Sequence, residues 1–175
     1  VSQQFTATVT AVNDIPFIAT INDTTTNEDS PLELLLTATD VDGDAVTFTA
    51  VSSNTDNVST DISGSLLTLT PSLNFNGSVT ISVTANDGTE DSNIETFTLT
   101  VSPVNDAPIL SSIADTTTQE EVAVELTLTA TDVDGDAVTF TAVSSDTDNI
   151  STDISGSLLT LTPSLNFYGS ATITV

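Results

Sequence analysis

The chain has 175 residues, of which 38% are hydrophobic, and no Lys, Arg or His balances its 25 Asp and Glu residues, so the formal net charge is −25. This charge argues against nucleic-acid binding, which needs Lys and Arg at the phosphates, and against anionic membrane surfaces. The absence of Cys excludes disulfides and thiolate metal sites. The chain also has no run of about 18 apolar residues, the length that predicts a membrane-spanning segment.

The uncompensated charge has two interpretations. Charge of one sign destabilises a compact state through self-repulsion, and bound cations would relieve that repulsion. Alternatively, the acidic surface is an adaptation to high salt and holds no specific ion. The distribution of the carboxylates along the chain favours the first interpretation and leaves the second open.

The sequence repeats with a period of 92 residues. Residues 13–83 and 105–175 are identical at 54 of 71 aligned positions, and 105 − 13 = 92. A repeat of this length is a whole domain rather than a solenoid turn. We therefore predict three parts, which are the last strand of a preceding or neighbouring-chain sandwich (1–12), a complete sandwich (13–104), and a second copy that lacks its final strand (105–175).

Apolar and polar residues alternate along several short segments of each repeat. Alternation with period two is typical of half-buried antiparallel strands, and Gly, Asn and Asp mark the turns between them. Several such strands in about 90 residues, with no helical pattern, predict an all-β fold of immunoglobulin-like β-sandwiches. The segments are 46–50, 66–70, 79–85, 96–101 and 124–130, and the turns are 42–44, 63–65, 76–77 and 87–88.

The first eleven residues align with 93–103, which hold the last strand of the first repeat. One interpretation is that the 175 residues are an arbitrary window on a long tandem array. The other is that this strand completes the last domain of a neighbouring copy by strand addition, which would build a head-to-tail fibre. The sequence leaves both open.

Carboxylates are predicted to gather at one pole of each sandwich. Three segments reach this pole. They are a loop with three Asp residues in five positions, the loop before the last strand, and the Asn-Asp dipeptide at the domain entry. In an extended loop the three alternating Asp side chains would point to the same side. The opposite pole holds a Glu-Asp pair, Glu28 and Asp29, with Glu120 and Glu121 as counterparts. The first pole holds Asn13, Asp14, Asp40, Asp42, Asp44 and Asp87, and in the second copy Asn105, Asp106, Asp132, Asp134 and Asp136.

This set of oxygen ligands predicts Ca²⁺ binding. Ca²⁺ takes six to eight oxygen ligands with flexible geometry, whereas Mg²⁺ retains more water. Carboxylates about 4 Å apart repel one another by roughly 1 kcal/mol in water, so a divalent ion would hold the cluster together. The competing interpretation is ordinary turn chemistry, which also favours Asp-Gly-Asp. An EF-hand is excluded, because Val51 stands where the loop would need its twelfth-position Glu.

Catalysis is not predicted. General bases and activated nucleophiles usually draw on His, Lys or Cys, and the chain has none of these residues. A carboxylate pair can serve a glycosidase, but aromatic residues that would stack on a sugar make up only 5% of the chain.

The motifs "VNDAP", "EDS", "TATDVDGD", "LTLTPSLNFNGS" and "ANDGT" together resemble the bacterial cadherin-like tandem repeats of large secreted adhesins and extracellular fibre proteins. The resemblance implies Greek-key sandwiches outside the cell or on its surface, with Ca²⁺ at the domain junctions and neighbouring copies of the repeat as partners. By position, it places linker ligands at Asn13, Asp14, Asn105 and Asp106, loop ligands at the other acidic residues of the first pole, and a lower-pole ligand at Glu28. It does not imply homophilic adhesion. The alternative function is a ligand-binding adhesin module for a carbohydrate or a surface.

Overall fold

The computed structural model describes all residues from Val1 to Val175 and is built from strands, turns and loops. The chain divides into two compact units, Val1–Val104 (unit 1) and Asn105–Val175 (unit 2). No helix with the length and apolar character needed to cross a membrane is present. The predicted all-β fold is confirmed.

Unit 1 contains nine strands, and its first sixteen residues lie outside them. The strands are β1 (Phe17–Ile18), β2 (Thr24–Asn27), β3 (Leu32–Leu35), β4 (Ala38–Thr39), β5 (Thr47–Ser52), β6 (Val58–Ser63), β7 (Leu66–Pro71), β8 (Gly77–Asn86) and β9 (Glu95–Ser102).

Unit 2 repeats this order with fewer strands, two of which are shorter than their counterparts. They are β10 (Ile109–Leu110), β11 (Val124–Thr127), β12 (Ala130–Thr131), β13 (Val143–Ser144), β14 (Ile150–Ser155), β15 (Leu158–Pro163) and β16 (Ile173–Thr174).

Two main sheets form the sandwich of unit 1. The four-stranded sheet has the order β2-β9-β8-β5, and the three-stranded sheet has the order β3-β7-β6. Strand β9 is an interior strand, antiparallel to β8 and parallel to β2. A small ladder between β1 and β4 completes the unit.

Alternating apolar residues of both sheets build the core of unit 1. Along β9, Phe97, Leu99 and Val101 are buried while the intervening Thr residues lie on the other face. Leu67 and Leu69 of β7 supply the core from the three-stranded sheet, and both are fully buried. The period-two pattern therefore places apolar side chains between the sheets and hydroxyl groups outside them.

The segment 124–130, which the alternation predicts as one strand, forms two strands in different sheets. Strand β11 pairs with β15, whereas β12 pairs with β10. The inward face continues across the break, because Leu128 between the two strands is buried. The prediction was right about the inward face and wrong about the continuity of the strand.

The core of unit 2 is smaller than that of unit 1. Its three-stranded sheet, β11-β15-β14, matches its counterpart in unit 1. Its buried apolar residues are Leu128, Leu159 and Leu161, whereas twelve residues form the buried cluster of unit 1. The difference lies in the second sheet, of which unit 2 contains only the two-residue pair β13–β16.

Candidate metal centre

The acidic loop of unit 1 folds around the carboxylate of Asp40. Its Oδ1 accepts hydrogen bonds from the backbone N–H groups of Asp42, at 2.9 Å, and Asp44, at 3.1 Å. Gly43 lies between these two donors with φ of 83°, a backbone conformation that other residues rarely adopt. The expectation of an extended loop was therefore wrong, because the segment curls around Asp40.

The Asn-Asp dipeptide joins this loop to the one before β9. The backbone N–H of Asp14 donates to Asp42 Oδ2 at 2.8 Å. Asn13 Nδ2 donates to Asp87 Oδ2 at 2.9 Å. The structure thus brings together the three predicted segments of this pole.

Asp87 is a largely buried carboxylate held by local hydrogen bonds. Its Oδ1 accepts from the backbone N–H groups of Glu90 and Thr89, both at 2.7 Å. The hydrogen bond from Glu90, followed by those from Asn13 and Thr89, lowers the pKa of Asp87. A lowered folded-state pKa stabilises the fold above the unfolded-state pKa, and this contribution is lost as the pH falls through the folded-state value. Asp87 therefore remains ionised at neutral pH, as a metal ligand must.

Asp40 has one oxygen that the turn does not use. Asp40 Oδ2 is buried and has no hydrogen-bond partner, although a buried charged oxygen is costly unless it is paired. Turn chemistry explains Oδ1 and leaves Oδ2 unexplained. A hard cation at this position would supply the missing partner, so the donor set at this pole fits Ca²⁺.

Unit 2 repeats the same hydrogen-bond pattern at its acidic pole. Asp132 Oδ1 accepts from the backbone N–H groups of Asp134 and Asp136, at 3.0 and 3.1 Å. The N–H of Asp106 donates to Asp134 Oδ2 at 2.7 Å, and carboxylate oxygens of these two residues lie within 4.8 Å of each other. Asn105 Nδ2 donates to the Asp106 carbonyl at 2.9 Å.

The Glu-Asp pair of unit 1 lies at the other end of strand β9. Glu28 is buried, and its Oε1 accepts from the N–H of Val104 at 2.6 Å. Asp29 is exposed, and its Oδ1 accepts from the N–H of Asn74 at 3.0 Å. In unit 2, Glu120 is exposed in a turn. The structure therefore separates Glu28, Asp29 and Glu120 from the acidic poles of their own units.

Sequence reasoning missed one acidic residue that shapes the first pole. Asn86 Nδ2 donates to Asp91 Oδ1 at 2.7 Å and closes the loop that carries Asp87. The five-residue separation of Asn86 and Asp91 around an Asp-Gly turn was the available signal.

Comparison with known proteins identifies the family. Residues 13–100 and 105–175 match a family model described as a bacterial Ig domain. No curated protein sequence matches the chain.

Several solved structures are similar in fold. Human protocadherin-24 EC1-2 (form II) is 16% identical, with a TM-score of 0.49, over 88% of this chain and 80% of that chain. The human desmocollin-1 ectodomain is 17% identical, with a TM-score of 0.38, over 94% of this chain and 29% of that chain. SGBP-B of Bacteroides ovatus, solved with a mixed-linkage heptasaccharide, is 17% identical, with a TM-score of 0.39, over 92% of this chain and 43% of that chain. The prediction of bacterial immunoglobulin-like repeats is confirmed by the family match, and the chain belongs to the bacterial Ig-domain family, in two tandem copies.

Proposed function

We propose that the chain is an extracellular spacer of an adhesin stalk or fibre, stiffened by Ca²⁺ bound at the acidic poles and at the junction between repeats. The observation that carries this proposal is Asp40 Oδ2, a buried carboxylate oxygen of the acidic pole that has no hydrogen-bond partner. The role is mechanical rather than catalytic.

Within unit 1, the ion would be held by Asp40 Oδ2 together with neighbouring carboxylates of the same pole. The turn already fixes Asp40 through Oδ1, and Asn13 and Asp42 link the other two segments to the pole. The cost of ordering the ligands is therefore met in part before the ion binds. Bound Ca²⁺ supplies positive charge that offsets the repulsion between the carboxylates.

The linker supports a role at the junction. In unit 1, Glu28 Oε1 accepts from the N–H of Val104, and in unit 2, Asp134 Oδ2 accepts from the N–H of Asp106. Since Val104 and Asp106 are two residues apart, their backbone nitrogens lie within about 7 Å of each other in any conformation. Both carboxylates are thus tethered to one short linker, where a shared ion would restrict rotation between the units.

An extracellular location follows from this proposal. Calcium sites of extracellular modules commonly saturate between about 10⁻⁴ and 10⁻³ M, which is the concentration range outside cells rather than in the cytosol. The partners are neighbouring copies of the same repeat, in the same chain or in adjacent chains.

The variant Asp132→Asn tests the ligand assignment. Removal of this negative charge is expected to lower the Ca²⁺ affinity of the unit 2 pole by about tenfold or more, because the acidic loop folds around the Asp132 carboxylate. Isothermal titration with CaCl₂ measures affinity and stoichiometry. The matched control is Asp153→Asn, which removes the same charge from the exposed face of β14 and should bind Ca²⁺ like the parent chain. Equal calcium binding by the parent and Asp132→Asn would refute the assignment.

A further inference from the structure

One outer face of unit 1 carries large apolar side chains that the core does not bury. The ladder of β1 and β4 sets Phe17 opposite Thr39, so both side chains lie on the same face. Pro16 and Ile18, on either side of Phe17, are fully buried, whereas Phe17 is 62% exposed. Ile15, the next outward residue in this alternation, is 54% exposed.

The same face continues towards β3. Ala19 donates its N–H to the carbonyl of Thr37 at 2.9 Å, which extends the alignment of the two segments beyond the ladder. Leu35, two residues before Thr37, is 72% exposed, and its register partner in β7, Leu66, is half-buried. These residues form an apolar stripe roughly 20 Å long, at about 3.3 Å per residue. The apolar stripe consists of Ile15, Phe17, Ala19, Leu35 and Leu66, with Thr37 and Thr39 between them.

Unit 2 lacks most of this stripe, although its inward residues are retained. Smaller or more polar residues replace all the stripe's apolar residues except Leu66. They are Ala107 for Ile15, Ile109 for Phe17, Ser111 for Ala19 and Thr127 for Leu35. By contrast, the buried Leu36 has an equally buried Leu counterpart, Leu128. The fold therefore requires the inward residues of this segment, and the apolar stripe is a property of unit 1 alone.

Carboxylates flank the apolar stripe at both ends. Glu33 follows the outward alternation of β3 and is exposed. It is aligned with Thr68 of β7, which is also aligned with the exposed Asp61 of β6. At the other end, the acidic pole begins at Asp14, next to Ile15. The chain has no Lys, Arg or His, so none of its own side chains can pair with these charges.

We infer that the apolar stripe docks an extended segment of a partner protein in which aliphatic side chains are flanked by Lys or Arg. A segment of about six residues in β conformation matches the length of the stripe. Its apolar side chains cover Phe17 and Leu35, and its basic side chains meet the acidic ends, where opposite charge steers association. A single exposed apolar residue is ordinary, but several on one face mark an interaction site.

The charge of the chain disfavours two other occupants. A second copy of this chain brings the same carboxylates and no basic side chain, so two facing stripes repel each other. An anionic membrane surface is repelled in the same way. Docking goes beyond the proposed spacer role and does not depend on calcium, because Glu33 and Asp61 are not among the proposed metal ligands.

NMR titration of the isotopically labelled chain tests the inference. The probe is a synthetic peptide of alternating Val and Thr with two Lys residues at each end, and the control peptide has Glu in place of Lys. In EDTA and in CaCl₂ alike, the Lys peptide is expected to shift the amide signals of Phe17 and Leu35 but not those of Ile109 and Thr127. The inference is overturned by equal shifts in both units, by equal shifts with the Glu peptide, or by no shift at about 1 mM peptide, where even millimolar affinity is visible.

Residues of unit 2 supply a matched variant of unit 1. Ile15→Ala, Phe17→Ile and Leu35→Thr together introduce the side chains that unit 2 carries at these positions, and all three sites are exposed, so the fold should be retained. The lost apolar burial is expected to weaken binding of the Lys peptide about tenfold or more. Unchanged affinity of this triple variant contradicts the inference.

A second pair of variants tests the charge at the stripe. Glu33→Gln removes one flanking carboxylate and is expected to weaken binding about two- to fivefold, the size of an exposed ion pair. Glu125→Gln makes the same change at the equivalent position of unit 2 and should bind the peptide like the parent chain. Equal affinity of these two variants overturns the inference. Neutral phosphatidylcholine vesicles that shift the stripe signals when the Lys peptide does not would also overturn it, in favour of a lipid-facing surface.

Discussion

Saturating Ca²⁺ is expected to raise the melting temperature of the chain by roughly 10–20 °C. A ligand at 100 times its dissociation constant stabilises the folded state by about 2.7 kcal/mol per site, and 1 kcal/mol shifts the melting temperature of a domain of this size by about 4–8 °C. The relief of carboxylate repulsion at the poles is part of this binding free energy. Differential scanning calorimetry in EDTA and in Ca²⁺ measures the shift.

The control is NaCl at the ionic strength of the CaCl₂ sample. Monovalent salt screens exposed charges but cannot bridge several carboxylates at once. A small shift in NaCl and a large one in Ca²⁺ is the expected outcome. Equal shifts would mean that the acidic loops bind no specific ion and that the charge is an adaptation to salt.

The substitution Leu67→Ala is expected to destabilise unit 1 by about 2–5 kcal/mol, the usual cost of a Leu→Ala cavity in a packed core. Leu67 is fully buried between the two sheets. In unit 2 the equivalent Leu159→Ala should have the larger consequence, because only three residues form the buried cluster there and the remaining core is too small to compensate. Hydrogen exchange under increasing urea resolves the two units.

The control for these core variants is Leu73→Ala. Leu73 is 81% exposed, so truncation should change the free energy of unfolding by less than about 0.5 kcal/mol. If Leu67→Ala is as stable as Leu73→Ala, the two sheets do not enclose the core described for unit 1.

Local patterns predicted the strands well because a strand's side-chain alternation is a property of consecutive residues. The alternation along 96–101 predicted strand β9 and its buried face. The switch between sheets at Leu36 and Leu128 was not predictable in this way. It depends on distant partners, such as Ser65, whose carbonyl accepts from the N–H of Leu36 at 2.8 Å, and no local period records such a partner.

The candidate metal site was also only partly predictable from local sequence. Turn chemistry and metal binding draw on the same residues, so the sequence could place Asp40 in the loop but could not assign a role to each of its oxygens. The adjacent Glu28 and Asp29 look equivalent in sequence. The structure distinguishes them, because Glu28 binds the N–H of Val104 near the linker while Asp29 binds the N–H of Asn74.

The most direct test of the calcium-stiffened spacer is small-angle X-ray scattering of the chain. The maximum dimension would be measured in EDTA, in millimolar CaCl₂ and in NaCl of matched ionic strength. The account predicts a longer particle with a narrower distribution of conformations in CaCl₂ alone. The same scattering curve in CaCl₂ and in EDTA, or the same change in NaCl, would contradict it.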